Sequence, residues 1–122
     1  MTKKILIVDD SEAIRQQVNF TLAKGGYEII EAEDGRDAME KMRSNDDISL
    51  IISDVNMPVM TGLEMLEAMK AEGSFPSVPI IMLTTVGITA LIGRAKKAGA
   101  NGWLVKPFNP DHLVAAAERL TS

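Results

Sequence analysis

Five short apolar segments recur along the chain, and longer segments with helical spacing separate them. The apolar segments lie at residues 5–8, 27–32, 49–54, 78–83 and 102–105. Apart from 27–32 they hardly alternate between apolar and polar residues, which is typical of strands buried on both faces of a parallel sheet. Between and after them, apolar residues recur every three or four positions, as in amphipathic helices. The pattern therefore predicts five strands that alternate with five helices.

Polar residues and glycines agree with these helix boundaries. Helices tend to begin after a side chain that accepts a backbone hydrogen bond, and they tend to stop at glycine. The strict alternation predicts an α/β domain with helices on both faces of a doubly wound parallel sheet. The expected caps are Ser11, Asp34, Thr61 and Asn109 (with Pro110 at the first helical position), and the expected stops are Gly25-Gly26 and Gly99.

Composition restricts the classes of protein that fit. A length of 122 residues predicts a single domain over 1–122, with nothing left for a second one. The net charge of -4 argues against general nucleic-acid binding. Cysteine is absent from the sequence, which excludes disulfides and thiolate metal sites. The sequence shows neither a signal segment nor a membrane-spanning run of about 18 apolar residues, so we expect a cytoplasmic protein.

Polar residues stand at the carboxyl ends of four predicted strands. The first strand ends in Asp9-Asp10, the third in Ser53-Asp54, the fourth in Thr84-Thr85 and the fifth in Lys106-Pro107. Ligands of open α/β sheets bind outside these strand ends, near the point where the strand order reverses. The sequence therefore predicts that three carboxylates, hydroxyls and one ammonium group share one crevice.

This set of residues indicates phosphoryl transfer. Three neighbouring carboxylates are unfavourable without a cation, and oxygen ligands at an open site favour Mg²⁺. Lys106 could pair with a phosphoryl group, and the Thr84 hydroxyl could donate a hydrogen bond to it. Positioning and charge neutralisation supply most of the catalysis in such reactions. A carboxylate can attack phosphorus directly, and Asp54, on a central strand, is the best candidate for the nucleophile.

Four segments together resemble the receiver domain of two-component response regulators, and most of all its stand-alone chemotaxis members: ILIVDDSE, LIISDVNMPVMTGLEML, PIIMLTT and AGANGWLVKPF. The resemblance covers essentially all 122 residues. It implies a flavodoxin-like (βα)5 fold with strand order 2-1-3-4-5. It also implies one receiver domain over 1–122 without an output domain.

The resemblance assigns a role to each residue of the first group. Asp54 would be the phosphoacceptor, which attacks a phosphohistidine on a partner kinase to form an acyl phosphate. Asp10 would ligate Mg²⁺ directly, and Asp9 would act mostly through a bound water. Asn56 would offer its backbone carbonyl as a further metal ligand.

A second group would transmit the signal. Thr84 and Lys106 would hold the phosphoryl oxygens, and Lys106-Pro107 would be a cis peptide. Trp103 would occupy the aromatic switch position and turn inward as Thr84 moves toward the phosphoryl group. The surface of the fourth helix, fifth strand and fifth helix would then change and bind a target.

The resemblance also implies partners. The donor would be a histidine kinase, and the target would be a protein such as a flagellar motor switch component. A phosphatase is a further expected partner, and nucleic acid and membrane are not. The protein is expected to be a monomer that transfers phosphate to and from its own Asp54 and is not a turnover enzyme. A phosphate sink or a relay intermediate are alternative uses of a stand-alone receiver.

Two other classes of protein share part of this pattern. Phosphatases of the haloacid-dehalogenase type also use an aspartyl nucleophile, but their two aspartates are separated by one residue, whereas Asp9 and Asp10 are adjacent. These enzymes also carry a cap domain, which is not expected here. A flavodoxin-like electron carrier would need a Ser/Thr-rich phosphate loop after the first strand, where this chain has the acidic segment DDSEAIRQQ.

The segment TTVGITALIG at 84–93 departs from the receiver pattern. Val86 stands where a polar or acidic residue is common, and Ile88 stands where a charged residue is frequent. Gly87 and Gly93 each weaken the predicted fourth helix by about 1 kcal/mol relative to alanine. Val86 could shield the acyl phosphate from water, and the apolar segment 86–93 could be a docking surface that orders on activation. The alternative is an ordinary core stripe.

Overall fold

The fold alternates strands and helices along the chain. The computed structural model describes residues 3–45, 47–54, 64, 67–68, 71, 78–84, 100–105 and 108–121. The third predicted helix is described only at 64, 67–68 and 71, which are helical, and the fourth lies outside the described residues. The helix that we label α3 is therefore the fifth predicted one. The continuous elements are β1 (Lys4–Val8), α1 (Glu12–Ala23), β2 (Glu28–Ala32), α2 (Gly35–Ser44), β3 (Ile48–Asp54), β4 (Ile80–Thr84), β5 (Gly102–Val105) and α3 (Pro110–Thr121).

The five strands form one sheet in the order β2-β1-β3-β4-β5, and every neighbouring pair is parallel. This order confirms the predicted flavodoxin-like topology. The chain runs outward from β1 to β2 and then returns to the far side of β1 with β3. The strand order therefore reverses between β1 and β3, whose carboxyl ends form the crevice where ligands of such sheets bind.

Each face of the sheet carries its own hydrophobic core, as helices on both faces require. Successive side chains of a strand point to opposite faces. In β1, Ile5 and Ile7 pack with α1 and α3, whereas Leu6 and Val8 pack with α2. We call these two groups the α1–α3 cluster and the α2-side cluster. The buried helical residues are Val18 and Leu22 in α1, Ala38, Met39 and Met42 in α2, and Leu113 and Ala117 in α3.

The start of β3 departs from regular pairing with β1. Lys4 pairs with Ile48, but the next residue, Ile5, pairs with Leu50, so the register shifts by one residue at Ser49. Residues two apart in a regular strand share a face. Here Ile48 belongs to the α2-side cluster and Leu50 to the α1–α3 cluster. The irregularity allows β3 to bury both side chains on opposite faces of the sheet.

The three continuous helices begin where the sequence predicts, and α1 ends just before the predicted stop at Gly25-Gly26. Ser11 and Asp34 each accept a hydrogen bond from the backbone N–H three residues later, at 3.3 and 2.8 Å. Asn109 accepts one from the N–H two residues later, at 2.9 Å. Gly26 has a φ of 84°, which favours glycine at the turn after α1. Thr61 and Gly99 lie outside the described residues. In the part of the chain that the structure describes, no helix has the length and apolar character that crossing a membrane requires.

Candidate functional site

The parallel register brings the carboxyl ends of β1 and β3 together. Val8 of β1 pairs with Ser53 of β3. The residues that follow them, Asp9 and Asp54, therefore lie side by side at the edge of the sheet. Asp54 also pairs with Leu83 of β4, so it stands between two neighbouring strands in the crevice where the strand order reverses.

Asp9, Asp10 and Asp54, which we call the acid cluster, each place one carboxylate oxygen within 4.8 Å of the others. Asp9 and Asp54 are only 2% and 7% exposed, whereas Asp10 is exposed to solvent. Carboxylates at this spacing repel one another unless positive charge compensates them. Mg²⁺ binds through a few carboxylates and keeps several waters, so a half-open set of hard oxygen ligands suits it. The residues of the acid cluster thus fit a Mg²⁺ ion.

The protein itself also stabilises Asp9. Its backbone N–H donates to the carbonyl of Ala32 at 3.1 Å, and one of its carboxylate oxygens accepts the backbone N–H of Ser11 at 2.9 Å. Ser11 caps α1, so the amino end of this helix, which carries a partial positive charge, lies beside the acid cluster. A cation is therefore not the only source of charge compensation at this edge of the sheet.

The end of β3 is fixed by a buried hydroxyl. Ser53 is fully buried, and its Oγ donates to the carbonyl of Asp54 at 2.9 Å. A buried hydroxyl is costly without a hydrogen bond, so this contact satisfies Ser53. It also restrains the peptide group that follows Asp54, and with it the backbone that carries this carboxylate.

Arg15 and Glu31 support the acid cluster through the backbone of Asp9, and the sequence did not predict this contact. Arg15 Nη1 donates to the carbonyl of Asp9 at 2.5 Å, and its Nε donates to Glu31 Oε1 at 3.1 Å. Asn19 Nδ2 donates to the other carboxylate oxygen of Glu31 at 3.2 Å. The one signal in the sequence was the pair of glutamates within the predicted strand 27–32, of which Glu31 shares a face of the sheet with Ile29. Ile29 packs with the α1–α3 cluster, so Glu31 lies on the face that α1 covers.

The other predicted site residues are described only in part. Thr84 is the last residue of β4, and its backbone pairs with Val105 of β5. The side chain of Thr84 lies outside the described part of the structure. Asn56, Lys106 and Pro107, together with the segment 86–93, also lie outside the described residues, so their predicted roles stay predictions.

Trp103 lies in β5 and points toward the α2 side of the sheet. It pairs with Met82 of β4 and packs against the α2-side cluster. Its Nε1 is buried and has no hydrogen-bond partner within the described residues. The indole is therefore partly buried, and its buried nitrogen is left unsatisfied by the residues that the structure describes.

Three comparisons relate the chain to known proteins. Residues 5–118 match the family model for the response regulator receiver domain. The chemotaxis protein CheY1 of Helicobacter pylori is 45% identical over 90% of both chains, and the chemotaxis protein CheY of Thermotoga maritima is 36% identical over 99% of both. Among solved structures, the chemotaxis protein CheY4 of Vibrio cholerae is similar with a TM-score of 0.90 and 46% identity, over 98% of this chain and 99% of that one.

Proposed function

Because the chain belongs to the response regulator receiver family, we propose that it is a phosphorylation-activated signalling switch with Asp54 as its phosphoacceptor. The observation that carries the proposal is the acid cluster, in which Asp54 lies within 4.8 Å of the two acids that follow β1. The similarity to chemotaxis proteins of the CheY type supports a role in chemotaxis. A histidine kinase would then be the donor, and a flagellar motor switch component would be the target.

The proposed reaction is a direct attack by Asp54. One of its carboxylate oxygens forms a bond to the phosphorus of a phosphohistidine while the P–N bond breaks. The electron pair of that bond returns to the imidazole, which takes up a proton. The contact between Ser53 and the Asp54 carbonyl holds the end of β3 in place, so the attacking carboxylate starts from a restrained backbone.

The acid cluster would hold Mg²⁺, with the carbonyl of Asn56 as a further ligand. The ion would neutralise charge on the phosphoryl oxygens. Lys106 would pair with the same oxygens, and Thr84 would donate a hydrogen bond to them. These assignments of Asn56, Lys106 and Thr84 rest on the sequence motifs.

The signal would pass from β4 to β5. Thr84 pairs with Val105, and Met82 of the same strand pairs with Trp103, so a shift at the end of β4 has a short route to the indole. A phosphoryl group adds about -1.5 to -2 charges to the site, which can bias such an equilibrium. We propose that the surface of the predicted fourth helix, β5 and α3 responds and binds the target.

The test is incubation with acetyl phosphate and Mg²⁺, followed by intact mass measurement. The wild type should gain one phosphoryl group, and Asp54→Asn should gain none because it lacks the nucleophile. Asp111→Asn is a matched control, since it removes an exposed carboxylate in the first turn of α3. It should be labelled like the wild type. Trp103 is the sole tryptophan, so its fluorescence reports whether the labelled protein changes conformation.

Other outcomes would point to other functions. Labelling of Asp54→Asn would contradict the assigned nucleophile. Continuous hydrolysis of small phosphoesters would favour an aspartyl phosphatase over a switch that is labelled once. Stable labelling without any change in Trp103 fluorescence would favour a phosphate sink or relay.

A further inference from the structure

We propose that Arg15, supported by Glu31, is a positioning residue that fixes the peptide group between Asp9 and Asp10 and thereby raises the affinity of the acid cluster for a divalent cation. This inference rests on the proposed function, because it concerns the metal site of the same acid cluster. Arg15 lies on α1 and Glu31 on β2, so the pair ties two elements to the loop that follows β1.

The guanidinium of Arg15 bridges two acceptors. Nη1 donates to the carbonyl of Asp9 at 2.5 Å, and Nε donates to Glu31 Oε1 at 3.1 Å. The Arg15 side chain is only 16% exposed, which removes most of the competition from water. Asn19 donates to the second oxygen of Glu31 at 3.2 Å, so the carboxylate that holds Arg15 is itself oriented.

The hydrogen bond to the Asp9 carbonyl matters because the other polar groups of Asp9 are already restrained. The N–H of Asp9 is bonded to Ala32, and its carboxylate is bonded to the N–H of Ser11. The carbonyl belongs to the peptide group that leads into Asp10, the exposed member of the acid cluster. Fixing this peptide plane fixes the backbone nitrogen and Cα of Asp10 and so narrows the directions that its side chain can take.

Such a contact should affect Mg²⁺ more than it affects folding. Mg²⁺ demands nearly ideal octahedral geometry, so small errors in ligand direction weaken its binding. Groups that orient metal ligands from behind typically change affinity by about 10- to 100-fold when they are removed.

The charge of Arg15 acts in the opposite direction. A cation near the acid cluster repels Mg²⁺, so a purely electrostatic role would weaken metal binding. Glu31 Oε1 lies 3.1 Å from Arg15 Nε, and its negative charge offsets that of the guanidinium. If Arg15 is removed, weaker Mg²⁺ binding therefore indicates a positioning role, and tighter binding indicates a purely electrostatic role.

Isothermal titration with Mg²⁺ tests the inference on the full chain, well below the melting temperature of each variant. Arg15→Gln removes both the charge and the bridge, whereas Arg15→Lys keeps the charge but cannot contact both acceptors. We expect both to bind Mg²⁺ about 10-fold more weakly than the wild type. Glu31→Gln keeps an acceptor for Nε and should lose less. Arg119→Gln, in the last turn of α3, removes one positive charge far from the site and should leave the affinity unchanged.

Each other result overturns the inference in a recognisable way. Tighter binding by Arg15→Gln with no change in Arg15→Lys would show that the residue acts only through its charge. Equal affinity in all variants, with a lower melting temperature for the Arg15 variants, would show a purely structural role. If the wild type itself binds no Mg²⁺ and takes no label from acetyl phosphate, the proposed function fails too. If the wild type is labelled normally but the Mg²⁺ affinity of the Arg15 variants is unchanged, only the positioning role is contradicted.

Discussion

At the scale of single residues, Trp103 combines good packing with an unsatisfied polar atom. Its ring packs against the α2-side cluster, but its buried Nε1 has no hydrogen-bond partner within the described residues. Leaving a buried donor unpaired costs about 1–3 kcal/mol. The observed position of the partly buried indole is therefore less stable than its contact area alone indicates, which suits a side chain proposed to move.

An isosteric replacement isolates this cost. Replacing Trp103 with 3-benzothienylalanine keeps the ring shape but exchanges the N–H for sulfur, which needs no acceptor. The free energy of unfolding, measured by denaturant titration, should increase by about 1–3 kcal/mol. Trp103→Phe is the companion variant, because it also removes the N–H but leaves a cavity. A destabilised isostere would mean that the indole N–H has a partner in solution.

The residues of the site differ in how well they could be predicted from the sequence. Asp9 and Asp10 directly follow a buried strand and Asp54 ends another, and a parallel sheet brings such ends together, so their meeting was predictable. Arg15 and Glu31 were not, because a charged residue on a helix or on an alternating strand normally faces solvent. Their contact depends on how α1 packs beside β2, which no local pattern records.

At the scale of elements, the amino end of α2 is stabilised by reciprocal hydrogen bonds. Asp34 Oδ1 accepts the backbone N–H of Asp37 at 2.8 Å, and Asp37 Oδ2 accepts the N–H of Glu33 at 3.2 Å. Lys41 Nζ also lies 3.0 Å from Asp37 Oδ1. Partial burial acts to raise the pKa of Asp37, but these hydrogen bonds and the charges of Lys41 and Arg15 outweigh it and lower the pKa.

This lowered pKa predicts how acid affects α2. Ionised Asp37 contributes stability above its unfolded pKa, and the contribution is lost as the pH falls through the lower folded pKa. Asp37→Asn should therefore destabilise the protein at pH 7 by about 0.3–1 kcal/mol. The difference from wild type should begin to shrink below about pH 4, where the carboxyl group of the unfolded chain takes up a proton, and it should disappear only once the pH is below the lower pKa of the folded state. Denaturant titrations of both proteins at several pH values measure it, and a difference independent of pH would contradict the assignment.

The elements were predicted well, with one informative exception. Apolar runs placed the strands to within about two residues, and caps placed the starts of the three continuous helices, because burial and backbone hydrogen bonding are encoded locally. The register shift at Ser49 was not predictable. The predicted strand began at residue 49 and left Ile48 out, and only the pairing with β1 shows that Ile48 and Leu50 serve opposite faces.

At the scale of the whole molecule, the acid cluster couples global stability to Mg²⁺. A ligand that binds only the folded protein stabilises it by mass action, by about 2.7 kcal/mol at 100 times its dissociation constant. The melting temperature should therefore rise with Mg²⁺ concentration. A melting temperature indifferent to millimolar Mg²⁺ would count heavily against the site.

A single substitution should stabilise the metal-free protein and weaken its stabilisation by Mg²⁺. Asp10→Asn removes one of three mutually repelling charges, so the metal-free protein should melt at a higher temperature than wild type. The same change removes a proposed Mg²⁺ ligand, so the increase in melting temperature on addition of Mg²⁺ should be much smaller than in the wild type. Asp111→Asn is again the matched control, and it should respond to Mg²⁺ as the wild type does.

The overall topology was only half encoded in the local pattern. Alternation of strands and helices predicts a parallel sheet with helices on both faces, and both cores are present. The order β2-β1-β3-β4-β5 depends on the direction in which each crossover returns to the sheet. Strand composition does not specify that direction, so the predicted order came from the family resemblance.

The strand order also has a consequence for how the chain folds. β1, β2 and β3 are neighbours drawn from the first 54 residues, whereas β4 and β5 add at one edge. Loop-closure entropy delays contacts between distant segments, so we expect a nucleus around β1 that grows toward β5. The half of the sheet that receives the phosphoryl group is then assembled first, and the half that carries Trp103 docks onto it last. Rearrangement in the late half can therefore proceed without dismantling the early one.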